Sequence, residues 1–554
     1  MRRFVAVVVL TVIGASLVVP PASSSAALML VRVPVSTASE AGFLASNFDE
    51  THNHRDGHIE LLLWPGDRAR LEAAGFTEYE IVSVDVVGEA QRAFSAGGPT
   101  VSLPGPDRDT YRTLEDYNSE MRALAEDNPS LVRVIKLPFR THEGRRVLGV
   151  EIAADVDDPS DGRPYFHVDG IHHAREWPAG EYPMIFAHYL VERFGKDPRI
   201  TSLLRRVRIE VVPVVNVDGF DYSRDSLVDS QGAAAYPLSL LGLEAYWRKN
   251  RRSFTETTVA ERNPDAFGVD PNRNYGFFWG DDEGGSSGER TSQTYRGQEL
   301  FSEPEVQNIR ELVLSRQVTA LITNHTSGRL VLRPWGHTAD DAPDEGRLRR
   351  LGDAMAEAMG GYTSQKGIGL YATTGTTDDW SYAVTGGLGY TFEHETSFHP
   401  PYADSVGVNW KGVMEAFVLG AEAAADPAHH AVIKGRLVDP EGNPLAGTIR
   451  LSKSFRTPLW EGNPSGRKSI RERISVKFRT ESDGTFELHV NPSTRPIVAD
   501  RKGEERYGLG FIGGKWTQAV RIAVGRGDVI DLGDVVLDQR IYKAILLEDM
   551  EDYY

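Results

Sequence analysis

Residues 164–195 read PYFHVDGIHHAREWPAGEYPMIFAHYLVERFG, and this stretch decides the fold. Its start, PYFHVDGI, is an apolar run of strand length, and EYPMIFAHYLVERFG has a helical pattern. A strand followed directly by a helix is typical of a parallel sheet covered by helices. Between the two elements stand two histidines, an arginine and a glutamate, where a buried strand ordinarily ends in turn residues.

The same alternation extends along the chain on both sides of this stretch. Further helices are predicted for TLEDYNSEMRALAEDNP and SEPEVQNIRELVLSR, and further strands for RVLGVEIA, RIEVVPVVNV, TALITN and LGYTFE. The fold class is therefore α/β, with a mixed, mostly parallel central sheet flanked by helices. Ligands of such sheets gather at the carboxyl ends of the strands.

A chain of 554 residues exceeds what one hydrophobic core supports, so two or three domains are expected. At the start, two arginines precede an apolar run from Phe4 to Val19, which is shorter than the roughly 20 residues that cross a bilayer. A membrane anchor is the alternative to a cleaved export signal. The predicted divisions are a signal peptide (1–26), a propeptide-like α+β domain (27–95), a linker (96–110), a catalytic domain (111–426), a β-sandwich (432–540) and an acidic tail (541–554).

The two flanking domains differ in pattern. LMLVRVPVS, HIELLLWP and YEIVSVDVV predict strands and DRARLEAAGF a helix, in a unit that is either a propeptide or a permanent accessory domain. Its HNHRDGH stretch, His52 to His58, is assigned to a loop and is only a weak second metal site. After ADPAHHAV, short β runs alternate with turns rich in aspartate and glycine, which predicts a small β-sandwich.

Composition narrows the chemistry. The formal charge of −18 argues against a broad phosphate-binding surface, so nucleic acid is not an expected partner. The chain has no cysteine, so any metal must be held by His, Asp or Glu.

A metal site is predicted from three residues at two strand ends. His173 and Glu176 lie three positions apart, on what is predicted to be the first turn of a helix, so both side chains reach one ion. His325 follows the strand TALITN and offers a third ligand, although a histidine there is more often part of the core. Catalytic zinc takes three protein ligands and leaves one position open.

Six segments in order resemble the zinc metallocarboxypeptidases of the carboxypeptidase A and B type, over roughly Tyr111 to Ala424. The segments are HAREW (173–177), YWRKN (246–250), GVDPNRN (268–274), NHTSG (324–328), LYATTGTTDDWSY (370–382) and YTFEHE (390–395). The resemblance implies one Zn²⁺ and these roles: His173, Glu176 and His325 as ligands, Asp270 behind His173, Glu393 as general base, Arg248 on the scissile carbonyl, Asn272 and Arg273 on the terminal carboxylate, Arg175 as a substrate-side cation, and Tyr371 as a mobile phenol.

The chemistry of these residue types agrees with the implied roles. Zinc makes hydroxide available near neutral pH, and Glu393 is placed to take the proton of the water. A guanidinium such as that of Arg248 stabilises an oxyanion, and Arg273 binds a carboxylate in a bidentate way. An exopeptidase needs the contact with the terminal carboxylate, because that group distinguishes the end of a peptide chain from its middle.

Substrate preference rests on Asp378, which matches the position where basic-residue enzymes of the family carry an acid. It predicts a terminal Lys or Arg. A mixed preference stays open, because Lys366 could neutralise the aspartate and Thr373 and Thr376 make the pocket walls more polar. Two departures from the family pattern are Ser327, where animal enzymes often carry tyrosine, and His394, which strand alternation turns away from Glu393.

The sequence therefore predicts a secreted, monomeric zinc carboxypeptidase that acts on peptide C-termini. A muropeptide peptidase of the same fold and an inactive peptide-binding relative are the alternatives. The C-terminal region resembles transthyretin-like accessory domains through GRLVDPEGNPLAG and ESDGTFELHV, which implies folding support or substrate contact.

Overall fold

The computed structural model describes residues 28–55, 57–89, 110–225, 243–254, 267–281, 285–499 and 504–540. The predicted signal peptide, nearly all of the predicted linker and the acidic tail lie outside these residues. Within the described ranges, no helix combines the length and the hydropathy needed to cross a bilayer.

An N-terminal unit, residues 28–89, contains a four-stranded antiparallel sheet in the order β2-β3-β1-β4. The assignment of HNHRDGH to a loop is wrong: its first four residues, 52–55, belong to β2, and His58 begins β3, which pairs with β2. The stretch lacks the alternation of polar and apolar residues that would have identified these strands. The elements are β1 (Met29–Pro34), α1 (Ala38–Asn47), β2 (Asp49–Arg55), β3 (His58–Leu63), α2 (Asp67–Ala73) and β4 (Glu80–Ser83).

The central unit contains an eight-stranded sheet in the order β11-β10-β12-β9-β7-β8-β6-β5. Its first half comprises α3 (Leu114–Asp127), β5 (Val132–Arg140), β6 (Arg146–Ile152), β7 (Tyr165–Gly170), α4 (Pro178–Arg193), α5 (Pro198–Arg206), β8 (Arg208–Val212) and α6 (Val217–Phe220). Its second half comprises α7 (Pro304–Ser315), β9 (Val318–Thr326), β10 (Leu330–Arg333), α8 (Glu345–Met359), β11 (Thr363–Lys366), α9 (Thr377–Thr385), β12 (Leu388–His394) and α10 (Val406–Ala425).

The predicted mixed, mostly parallel sheet is confirmed. Four neighbouring pairs are parallel, namely β10 with β11, β12 with β9, β9 with β7, and β7 with β8, and the other three are antiparallel. Strands β7, β9 and β12 are buried along their whole length, as strands covered on both faces must be. In the parallel pair of β12 with β9, Glu393 lies directly opposite His325, so both side chains leave the same face.

Helix α4 begins later than the sequence suggested. It begins at Pro178, and a proline at the first helical position is favourable because that position has no intrahelical use for an N–H. His173 and Glu176 therefore lie in the turn between β7 and α4, not on a first helical turn. The turn is closed by the Glu176 N–H donating to the His173 carbonyl at 3.2 Å.

A C-terminal unit, residues 431–540, contains two sheets, in the orders β16-β13-β19 and β15-β14-β17-β18-β20. Buried and exposed residues alternate along β14 and β15, so one face of their sheet is turned inward. Phe486 and Phe511, one from each sheet, pack with ring centroids 5.9 Å apart, as in a sandwich. The strands are β13 (Ala431–Val438), β14 (Thr448–Pro458), β15 (Ser469–Arg479), β16 (Thr485–Val490), β17 (Tyr507–Gly513), β18 (Trp516–Ile522), β19 (Val529–Val536) and β20 (Gln539–Arg540).

Candidate active site

The three predicted ligands meet at the carboxyl end of the central strands. The Nδ1 atoms of His173 and His325 lie 3.1 Å apart, and each is within 2.9 Å of a carboxylate oxygen of Glu176. All three side chains are buried. Tetrahedral zinc bonds of about 2.0–2.2 Å place ligand atoms roughly 3.3 Å apart, so this donor set fits a single zinc ion.

Asp270 and Arg248 lie directly behind this cluster. Asp270 Oδ1 is 3.1 Å from Nε2 of His173, and Asp270 Oδ2 accepts from the Arg248 guanidinium at 3.0 Å. Although burial opposes it, Arg248 and His173 hold the pKa of Asp270 well below its usual range. A carboxylate in this place orients the His173 ring so that Nδ1 faces Glu176 and His325, where it could bind a metal.

The predicted carboxylate anchors stand beside His325. The Arg273 guanidinium donates to the Tyr371 hydroxyl at 3.2 Å, and the amide nitrogen of Asn272 lies 3.4 Å from His325 Nε2. Asn272, Arg273 and Tyr371, three of the five predicted substrate contacts, are buried. Two donors and a phenol thus line one side of the cluster, where an anion bound by Arg273 would be close to His325.

Glu393 reaches the same space from β12. It is buried, and its Oε2 lacks a well-aligned hydrogen bond among the described residues. The neighbouring His394 points the other way and contacts Asn324 Oδ1 at 2.8 Å and the Tyr362 hydroxyl at 3.1 Å. The expectation that strand alternation separates His394 from Glu393 is thus confirmed.

Asp378 lies on the first turn of α9 and is buried. Burial, and then the charge of neighbouring Asp379, raise the pKa of Asp378 to about 6. Lys366, which the sequence suggested as a neutralising partner, instead donates to Asp341 Oδ1 at 2.8 Å and to the Ala339 carbonyl at 2.6 Å.

Arg175 and Ser327, both at the cleft, contact the N-terminal unit. The guanidinium of Arg175 forms two hydrogen bonds of 2.6 Å to the carboxylate of Asp49, and both side chains are buried. Ser327 donates to the backbone carbonyl of Thr51 at 2.8 Å. Strand β2 therefore lies across the predicted substrate cleft.

His52 of β2 reaches the predicted general base. Its Nδ1 lies 3.2 Å from Glu393 Oε2, and its ring stacks on Tyr371 with centroids 6.2 Å apart. Although burial opposes it, the carboxylates of Glu393 and Glu50 raise the pKa of His52 to about 9. Glu50 in turn contacts the hydroxyl of Tyr371.

Sequence reasoning missed Asp49, Glu50 and His52 as residues of the site. The only signal was the histidine-rich stretch HNHRDGH, which we interpreted as a weak metal site within its own loop. Nothing in the local pattern relates β2 to residues more than a hundred positions away, because that contact depends on how two units dock.

A second group with metal-compatible distances is His142, Glu303 and Glu305. Its carboxylates already have donors: Arg252 binds Glu303 at 2.6 Å, and the amide of Asn250 donates to both glutamates. A cation there would stand beside the Arg252 guanidinium, so we interpret the group as a structural hydrogen-bond cluster in which the two glutamates are buried.

Comparison with known proteins agrees with this geometry. A family model described as zinc carboxypeptidase matches residues 117–412. Carboxypeptidase A1 of Rattus norvegicus is 30% identical over 342 residues, which is 59% of this chain and 73% of the relative. Carboxypeptidase B of Astacus astacus is 29% identical over 294 residues, covering 52% of this chain and 86% of the relative.

Solved structures support the fold. The carboxypeptidase A of Helicoverpa armigera superposes with a TM-score of 0.58 at 21% identity, covering 72% of this chain and 98% of that chain. A structure of thrombin-activatable fibrinolysis inhibitor gives a TM-score of 0.56 at 20% identity, with the same coverage. At these identities the likeness concerns the fold alone.

Proposed function

Because the chain belongs to the zinc carboxypeptidase family, we propose that it removes single residues from peptide C-termini, with a preference for Lys and Arg, after export and release of its N-terminal unit. The observation that carries this proposal is the convergence of His173, Glu176 and His325 within 3.1 Å, beside the side chain of Glu393. The family's activity on peptide C-termini sets the reaction class.

Zinc, when bound by His173, Glu176 and His325, supplies Lewis-acid chemistry for peptide hydrolysis. The protein side of the reaction begins with Glu393, whose carboxylate removes a proton from the attacking water and returns it to the leaving amine. Arg248 is fixed by Asp270 and stabilises the oxyanion that develops on the scissile carbonyl.

Recognition of a chain end is assigned to Arg273 and Asn272. A guanidinium binds a terminal carboxylate through two parallel N–H groups, and the asparagine amide adds a third donor. The hydroxyl of Tyr371 lies 3.2 Å from the Arg273 guanidinium and borders the same space. A peptide whose terminal carboxylate is amidated loses the anion that these groups bind.

The preference for Lys and Arg is supported by Asp378 and by the position of Lys366. Burial raises the pKa of Asp378 and so disfavours its charged form. The positive side chain of a bound Lys or Arg would stabilise the charged carboxylate. The Lys366 ammonium is held by Asp341 and so does not neutralise that acid.

The N-terminal unit is proposed to keep the enzyme latent. Three residues of β2 contact groups that are assigned to substrate binding or catalysis and so cover them. Asp49 binds the guanidinium of Arg175, Glu50 contacts the hydroxyl of Tyr371, and His52 contacts the carboxylate of Glu393. A substrate peptide cannot reach the cleft while β2 lies across it.

The test is a panel of peptides differing in the last residue, given to the chain after a single cut between residues 89 and 110. We expect release of free Lys or Arg, loss of activity with a chelator and its return with Zn²⁺, and resistance of a C-terminally amidated peptide. Glu393→Gln is expected to lower kcat by about 10²–10⁴-fold. Turnover of muropeptides alone, or an undiminished rate in Glu393→Gln, would contradict the proposal.

The pH dependence tests the role of Asp378 separately. Its raised pKa means that the acid is neutral below about pH 6 and charged above it, so the ratio of kcat/KM for Arg-ending over Leu-ending peptides should rise as pH passes through about 6. A pH effect that is common to both peptides cancels in the ratio. In Asp378→Asn the ratio should be low and independent of pH; a parent-like profile in that variant would remove Asp378 from the pocket.

A further inference from the structure

The amide of Asn272 is held in one orientation by Thr377, the first residue of α9. Asn272 Oδ1 lies 3.0 Å from the backbone nitrogen of Thr377 and 3.0 Å from its hydroxyl oxygen. A backbone N–H only donates, so the atom facing it must be the amide oxygen. The NH₂ group is therefore turned to the opposite side, towards His325 and the cleft.

The Thr377 hydroxyl also contacts the residue next to a metal ligand. Its oxygen lies 3.1 Å from Nε2 of His172, and that nitrogen lies 2.9 Å from the hydroxyl of Tyr275. Thr377, His172 and Tyr275 are all fully buried. The Thr377 hydroxyl has one proton and donates it to Asn272. Its oxygen therefore acts as the acceptor in the contact with His172 Nε2.

Thr377 thus joins three segments that approach the substrate from different parts of the chain. The turn after β7 contributes His172, the Pro271–Arg273 segment contributes Asn272, and α9 carries Asp378 one residue beyond Thr377. The N-cap residue of α9, Thr376, makes no side-chain capping bond, so Asn272 Oδ1 takes over that function for the first N–H of the helix.

We propose that Thr377 is a positioning residue for the recognition of the terminal carboxylate. It fixes the NH₂ group of Asn272 towards the substrate, and it ties that anchor to the helix that carries the side-chain pocket. The inference rests on the proposed function, in which Asn272 binds the carboxylate. It assigns a role to a residue that never touches the substrate.

The test compares Thr377→Val with Thr377→Ser in the full chain cut once between residues 89 and 110. Valine keeps the size of the side chain and removes the hydroxyl, while serine keeps the hydroxyl. For a peptide with a free terminal carboxylate, we expect Thr377→Val to raise KM by about 10-fold with kcat within about two-fold, and Thr377→Ser to restore the parent KM to within about two-fold.

Binding of free L-arginine and of L-arginine amide, measured by calorimetry, gives a readout that does not depend on turnover. Thr377→Val should weaken binding of the free acid by about 10-fold and leave the weak binding of the amide unchanged. Thr385→Val is the matched control, because Thr385 is a buried threonine at the other end of α9 whose hydroxyl donates to the Ser381 carbonyl at 2.7 Å. Its loss should cost stability and leave the preference for free acid over amide unchanged.

An equal effect of both valine variants on that preference would overturn the proposal, since it would show a general loosening of α9. Parent-like discrimination in Thr377→Val would overturn it as well. Failure of the parent protein to cleave any peptide would instead refute the proposed function.

Discussion

The N-terminal and C-terminal units both pack against the central unit, but the two contacts differ in kind. The N-terminal contact at the cleft is made of charged and polar pairs, such as Asp49 with Arg175, and the unit keeps most of its apolar residues in a cluster largely its own. The C-terminal sheets share one continuous apolar cluster with the central sheet. Gln317 and Asn491 add a buried hydrogen bond between the latter two units.

This difference indicates which unit can dissociate from the central unit. Charged groups that are paired across a cleft are rehydrated when the two sides separate, so their separation costs little beyond the lost pairs. Apolar surface gains nothing from water, so the C-terminal sheets cannot leave without exposing part of the core. The N-terminal unit therefore suits a removable cover, and the C-terminal unit suits a permanent part of the fold.

The largest expected effect is that of removing the C-terminal unit. A chain that ends after residue 426 should fail to give soluble, cooperatively melting protein, because apolar residues now in the shared cluster become exposed. Soluble yield and thermal unfolding monitored by circular dichroism measure this. Recovery of a soluble, fully active 1–426 chain would show that the two units fold independently.

Cutting the chain between residues 89 and 110, at an inserted protease site, should raise peptidase activity by about 100-fold or more. A cover that is closed in at least about 99% of molecules leaves only the small open fraction active. The same protease added to a chain without the inserted site is the control. Equal activity before and after the cut would show that the N-terminal unit is an accessory domain without a latency role.

Asp49→Asn should partly open the cover in the uncut chain. Removing one partner of a buried ion pair leaves Arg175 charged and unpaired in the closed form, which destabilises that form by about 3–5 kcal/mol. Activity of the uncut variant should rise towards that of the cut protein without exceeding it.

The matched control is Glu80→Gln, which removes a carboxylate from an exposed pair with Arg32 in the same unit. Exposed pairs contribute little, so its latency should match that of the parent. If both substitutions released activity equally, the Asp49 and Arg175 pair would not be what holds the cover.

The smallest expected effect concerns the contact between the central and C-terminal units. Gln317→Ala removes the acceptor of the Asn491 backbone N–H, which lies 2.8 Å from Gln317 Oε1 in a buried position. The free energy of unfolding should fall by about 1–3 kcal/mol in denaturant titrations. Gln298→Ala, at an exposed position, should change it by less than about 0.5 kcal/mol. If the C-terminal unit of the variant unfolded at a lower denaturant concentration than the central unit, the two units would not form one cooperative core.

The sequence predicted the parts of the site that depend on local patterns, and it did not predict the parts that depend on contacts between distant residues. His173, Glu176 and His325 were predicted because the first two follow a strand with a visible apolar pattern and His325 lies at the end of another, and the carboxyl ends of parallel strands meet. The start of α4 was misplaced because His173 and Glu176 are equally compatible with a turn or with a first helical turn. His52 was not predicted to be at the site, because the stretch that contains it carries no mark of its docking partner.

By itself the sequence determined the sheet, the order of its elements and the residue types available for chemistry, since period and composition act over short distances along the chain. Only the tertiary structure decided that β2 covers the cleft, that Lys366 turns to Asp341, and that Thr377 orients Asn272. These contacts join residues far apart in the chain, and they depend on packing between surfaces whose complementarity no local pattern records.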